Sequence, residues 1–208
     1  CGTGVVRALR FAVSSAAAGG HGAQTVTPAK RSADRSWRPG GFSVTAEVFW
    51  RWALARYAHE PARQHLLALQ AELDLVIIEA LFVCWLATEE RRLQQDDVDA
   101  LETLITPWVA EVVIPLRAVR QRWKTDLAKA QQRDLLLKLE VEAERYLAEL
   151  LWSAYTALPD NLPIARQNPA GDKEAERLND NLCALTVFRQ GEYALQRQQL
   201  VALLLEST

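Results

Sequence analysis

The chain has 208 residues, enough for one sizeable core without a second full domain. Half of the residues are apolar and 24% are charged, the balance of an ordinary globular protein and not of a low-complexity or membrane-embedded one. The net charge of −2 hides a division: residues 1–41 carry six basic side chains against one acid, and residues 42–208 carry 18 against 25, which argues against non-specific nucleic-acid binding by the body of the chain.

Seven of the nine glycines fall within residues 1–41 together with Pro28 and Pro39, and this composition predicts a disordered tail. The run from Arg7 to Ala18 sets basic residues ahead of a short apolar patch, as targeting segments do, but the patch is marginal in length and the expected compartment is the cytoplasm. The chain holds no methionine, an initiator included, which fits a fragment or an upstream extension. A helical bundle domain is expected over residues 42–158, a loop over 159–171 and a C-terminal helical hairpin over 172–206.

The first helix is expected from about Thr45 to Ala58, with Ala46, Phe49, Trp50, Ala53 and Tyr57 on its inner face and Trp52 pointing away. Pro61 suits the first turn of a second helix, in which Leu66, Leu69 and Leu73 recur at three and four. Next comes Leu75 to Ala87, a run with a single charge and no alternation. It is too long for a buried strand and shorter than the roughly 20 residues a bilayer-spanning helix needs. A helix apolar on every side is stable in water only when other helices wrap it, so this segment is the expected centre of the fold, with Asp74 as its N-cap.

Asp96 is placed to cap a short helix that turns Val98, Leu101, Leu104 and Ile105 inward. Thr106 and Pro107 read as the N-cap and first position of another, whose stripe is Val109, Val112, Leu116, Val119, Trp123 and Leu127; Pro115 lies inside it and predicts a kink. A long helix follows from Leu135 to Leu158, with Leu136, Leu139, Ala143, Leu147, Leu150 and Ala154 inward. Lys138 with Glu142 and Arg145 with Glu149 form i,i+4 pairs on its outer side. Asp172 restarts a helix carrying Leu178, Leu182, Leu185 and Phe188, Gly191 breaks it, and a last helix to Glu206 closes an αα-hairpin through Leu200, Leu203 and Leu204. The predicted fold is an all-α, single-domain bundle around a buried central helix at about residues 75–87.

Few residues carry chemistry. Cys1, Cys84 and Cys183 form no CxxC and no Cys/His cluster, and Cys84 and Cys183 read as apolar filler in a reducing compartment. His59 and His65 are six apart across a proline, not at the spacing of a helical metal pair, and the folded part has no Gly-rich phosphate loop; no metal or cofactor is expected. Glu79 is the one ionisable group of the central helix. As a buried acid it would be a general-acid or ligand-site candidate, although a place near the helix start, contact with solvent or a partner arginine from the first helix is the plainer reading. Arg117, Arg120 and Lys124 share one face opposite the apolar stripe, with Arg91 and Arg92 placed to lie close by; such a face could hold RNA phosphates or an acidic partner helix, or be a solvated face balanced by the acidic helix that starts at Asp96. Trp52, with Arg56 one turn on, could be an interfacial anchor or could pack under the C-terminal hairpin.

Four blocks are Phe49-Trp-Arg-Trp-Ala-Leu, Leu67-Ala-Leu-Gln, Leu81-Phe-Val-Cys-Trp-Leu-Ala and Pro107-Trp-Val-Ala-Glu-Val-Val-Ile-Pro-Leu-Arg-Ala-Val-Arg. In order and spacing they resemble an uncharacterised proteobacterial all-helical family catalogued as a domain of unknown function, over roughly Val44 to Leu151. The resemblance implies a small helical cytoplasmic protein and assigns no catalytic residue. The chain departs from it at Ile77-Ile78-Glu79-Ala80, where the family tends to have Asn followed by leucines. The function this sequence favours is a non-enzymatic interaction or adaptor module for an unknown protein partner, contacting it through Trp52, Arg56, Arg117, Arg120 and Lys124. The alternatives are an apolar-ligand protein or enzyme with its site near Glu79, and RNA binding by the Arg117/Arg120/Lys124 face.

Overall fold

Eleven consecutive side chains, Ile77 to Ala87, are buried in the computed structural model, which describes residues 46–158 and 173–206. They belong to the third of eight α-helices among the described residues: α1 Ala46–Ala58, α2 Glu60–Leu73, α3 Ile77–Thr88, α4 Gln95–Trp108, α5 Ile114–Arg122, α6 Ala130–Ala157, α7 Glu174–Ala184 and α8 Ala194–Glu206. No β-strand occurs among these residues. The tail expected to be disordered at 1–41 and the loop expected at 159–171 lie outside them.

Because α3 has no polar face, it is satisfied only by neighbours all round, and α7, α1, α6 and α2 supply them. Each Leu, Ile, Val or Phe so enclosed contributes about 1.5–3 kcal/mol. The wrapping is aromatic on one side. Phe49 of α1 meets Phe82 edge-on at 5.0 Å and Trp85 at 5.5 Å, and Trp152 of α6 lies 5.9 Å from Trp85. Edge-to-face and tilted pairs of this kind add about 0.5–1.5 kcal/mol beyond the area they bury.

Several boundaries differ from the sequence reading. Asp74 does not cap α3. It ends α2 in the left-handed region at φ 56°, a conformation an aspartate tolerates, and α3 begins at Ile77 after the extended Val76. Thr106 and Pro107 open no new helix either: α4 runs through them, since proline's fixed φ is helical and costs only one backbone bond, while the Thr106 hydroxyl donates to the Glu102 carbonyl at 2.6 Å. The irregularity expected at Pro115 falls just ahead of it, where Val109–Val113 form a π-helical stretch and the Ile114 N–H donates to the Val109 carbonyl five residues back. One extra residue in that turn lets the rod continue from Gln95 to Arg122 despite a proline that cannot donate. Leu104 of α4 is half exposed instead of inward.

The inner stripe of α6 is also rotated from the expected one. Leu139 faces solvent and Glu140 is buried beside Val141, Ala143, Leu147, Ala148, Leu151 and Ala154. Arg145 bonds Glu47 of α1 at 2.8 Å, across helices and not along its own.

The C-terminal hairpin completes the sheath. Leu178, Leu182, Leu185 and Phe188 are all buried, and α7 forms the most extensive helix contact that α3 makes. Asn181, fully buried, pins it: its amide donates to the Val83 and Arg91 carbonyls, each at 2.9 Å, and its oxygen accepts from the Leu93 N–H at 2.9 Å. Gly191 turns the chain at φ 71°, and α8 returns along α2, where the His65 ring meets the Gln196 carbonyl at 2.8 Å.

Candidate functional site

Two buried polar constellations stand out against this apolar background. The larger lies where α5 crosses α6, one turn beyond the π-helical stretch. Arg117 and Arg120, three apart on α5, both reach Glu140, which is 4% exposed. Arg117 Nε donates to Glu140 Oε1 at 2.9 Å and its Nη2 to Glu144 Oε1 at 3.0 Å; Arg120 Nη2 donates to Glu140 Oε1 at 3.2 Å and its Nε to Oε2. On the α2 side the Gln70 amide, oriented with its oxygen toward Arg117, accepts from Nη1 at 2.7 Å. Tyr57 of α1 and Arg63 of α2 lie within electrostatic reach of the group. Burial, reinforced by Glu144, holds the Tyr57 hydroxyl protonated well above its ordinary range. Burial likewise pushes the Glu144 carboxyl up to about 7, against the pull of Arg117.

The arrangement follows from sequence spacing. Glu140 and Glu144 are one helical turn apart on the inner face of α6, so two carboxylates meet two guanidiniums that α5 presents with the same pitch. A π-helical turn beside charged, partly buried groups is a common companion of functional sites. Its chemistry is that of charge balance: the guanidiniums have donated their bonds to carboxylates of the same molecule.

The second constellation is Glu79. Its side chain is 6% exposed, its Oε1 has no hydrogen-bond partner, and burial, reinforced by Glu102 of α4, pushes its carboxyl up to about 8. Glu79 lies in the first turn of α3, as the plainer reading of a residue near the helix start has it, but no arginine of α1 reaches its Oε1. Glu102 itself holds the hairpin, accepting from the Thr186 N–H at 2.9 Å and the Thr186 hydroxyl at 2.5 Å.

The structure distributes the other candidates differently from the sequence reading. Arg117 and Arg120 do not form an open basic face with Lys124; the two arginines turn toward α6, and Lys124 lies exposed in the turn after α5. Trp52 is half-buried, with the Arg56 guanidinium 4.9 Å above its ring. Arg92 bonds Asp180 of α7 at 2.5 Å. Cys84 is buried and its thiol is pushed far up by burial, while Cys183 is half-buried; neither forms a disulfide. Glu140, Glu144 and Gln70 were not singled out from sequence, and Tyr57 was placed only on the inner face of the first helix. The available signal was the interruption of the Leu136, Ala143, Leu147 stripe by glutamates at inward spacing.

Among the described residues no three His, Cys, Asp or Glu side chains are grouped to hold a metal ion, and no helix is long and apolar enough to cross a membrane. The fold and site together define an all-α bundle built on a sheathed apolar helix and stapled by partly buried arginine–glutamate pairs. A family model described as "Protein of unknown function (DUF2390)" matches residues 48–151, half of the chain, and the chain belongs to that family. No curated protein and no solved structure matches it. The matched region ends inside α6, so α7, which closes the sheath around α3, and α8, which packs on α7 and α2, lie beyond it.

Proposed function

We propose that the protein is a non-enzymatic helical interaction module of the cytoplasm, where thiols such as Cys84 and Cys183 stay reduced. One observation carries the reading. Leu135, Leu139 and Tyr146 of α6 are 59%, 55% and 46% exposed on a helix whose opposite side is well packed. Large apolar side chains aligned on a surface mark contact sites more often than chance exposure does. The contact face therefore shifts from the arginines to α6, with the half-buried Trp52 and its Arg56 as a second element.

A photo-crosslinking residue placed at Leu139 and, in a separate variant, at Leu195 of α8 tests this, both positions being exposed. The expected result is a discrete adduct from position 139 that is absent from position 195 and is lost on adding Tyr146→Lys. Equal or no capture at the two positions would defeat the proposal.

A second reading, an apolar-ligand or acid-catalyst site, draws support from the unpartnered Oε1 of Glu79. Its test is whether Glu79→Gln abolishes chemical-shift changes on titration with medium-chain fatty alcohols. RNA binding draws no support from arginines neutralised by Glu140 and Glu144.

A further inference from the structure

The exposed row on α6 is ordered in a way that suits one kind of partner. Leu135, Leu139, Glu142 and Tyr146 follow one another at spacings of four, three and four, which keeps them on one line of the helix surface, opposite Glu144, Leu147 and Leu151. Lys138 is exposed beside Glu142 on the same flank. The line spans roughly 16 Å from Leu135 to Tyr146 at the rise of an α-helix.

We infer that this face binds a second copy of the chain, α6 against α6, antiparallel about a two-fold axis near residue 140. The inference rests on the interaction reading above and names the partner. Charge order decides it. In a parallel pair the two-fold runs along the helices and sets the two Lys138 and Glu142 flanks on opposite edges of the contact, where they cannot meet. Running antiparallel, with the axis near residue 140, Lys138 is level with the partner's Glu142 and Glu142 with the partner's Lys138, twice over by symmetry. The same register brings Leu135 within one residue of the partner's Tyr146 and sets the two Leu139 side chains together at the centre. A patch that is complementary to itself under a two-fold rotation is what an isologous dimer requires. The patch is small, and interfaces at the low end of the size range are weak or transient, so the dimer is expected only at high protein concentration.

Sedimentation equilibrium of the full chain from 1 to 200 µM tests the inference. Wild-type protein is expected to pass from monomer to dimer, and Lys138→Glu to weaken the dimer at least tenfold. Adding Glu142→Lys to that variant should restore it. Leu139→Glu should give monomer at every concentration with an unchanged urea midpoint, since the side chain is exposed. A wild-type monomer at 200 µM, a dimer indifferent to Lys138→Glu, or a double variant no better than the single one would overturn the inference. If wild-type protein stays monomeric while position 139 still crosslinks to a different protein, the second copy is wrong and the interaction module stands. If position 139 captures nothing, both fall.

Discussion

Glu79 sets a pH dependence that can be worked through. In the fold its carboxyl ionises near 8, and in the unfolded chain near the ordinary 4.5. A raised acid favours the folded state at low pH: the stability it confers is complete below 4.5 and is lost as pH rises toward 8, because the unfolded chain releases a proton that the native one keeps. Between pH 5 and 8 the loss comes to about 3–4 kcal/mol at about 1.4 kcal/mol per pH unit, an upper figure because side-chain relaxation and water entry soften burial. Glu79→Gln removes the titration. The amide has its own buried N–H groups to satisfy, but that penalty is the same at every pH and cancels in the comparison. Urea unfolding followed through the buried Trp85 should therefore show the variant gaining on wild type by about 2–4 kcal/mol from pH 5 to pH 8. Parallel stability curves for the two proteins over that range would refute the assignment of a neutral buried acid.

The remaining expectations concern the staples and the sheath. Glu140→Ala leaves two guanidiniums without their shared carboxylate and should cost about 3–5 kcal/mol in urea unfolding; a double-mutant cycle with Arg120→Met should show a coupling of about 1–3 kcal/mol, and additivity would mean the pairing is incidental. Asn181→Leu keeps the branched shape but leaves the Arg91 carbonyl and the Leu93 N–H without their partner, so thermal unfolding should show a loss of about 2–4 kcal/mol; a change below about 0.5 would contradict the pin. Ending the chain at residue 158 uncovers one side of α3, and the product should bind an apolar dye and unfold without cooperativity, whereas a sharp transition would show that the hairpin is dispensable.

What could be read from sequence was decided by length and period. The run at residues 75–87 admits only one state, because thirteen apolar residues exceed a strand, fall short of a membrane span and need wrapping. Leu178, Leu182, Leu185 and Phe188 were legible for a similar reason, as an uninterrupted inward series. The failures have a common physical source. Asp74 and Thr106 are residue types that both cap and interrupt helices, and the choice depends on what the next turn packs against. The register of α6 was misjudged because hydrophobicity alone assigns Leu139 inward and Glu140 outward. Two arginines on another helix reverse that choice, and no window on α6 contains them.

That reversal links the staple to the exposed face. Rotating α6 so that Glu140 and Glu144 reach Arg117 and Arg120 necessarily carries Leu135 and Leu139 to the outside, since they occupy the opposite side of the same helix, and leaves Tyr146 half exposed with its ring edge-on to Trp108 of α4. Buried ion pairs contribute little net stability compared with apolar side chains of similar volume. A rotation that buried Leu139 and exposed Glu140 would therefore cost the isolated fold little and would cover the apolar row. Under the interaction reading, the Arg117–Glu140 and Arg120–Glu140 pairs are what holds the leucines outward, so replacing all three charges by Met, Leu and Met should free α6 to turn. The expected signature is loss of dimerisation with stability kept, measured by sedimentation and by protection of a Leu139→Cys thiol from alkylation in the same background. Retention of the dimer in that variant would separate the staple from the surface.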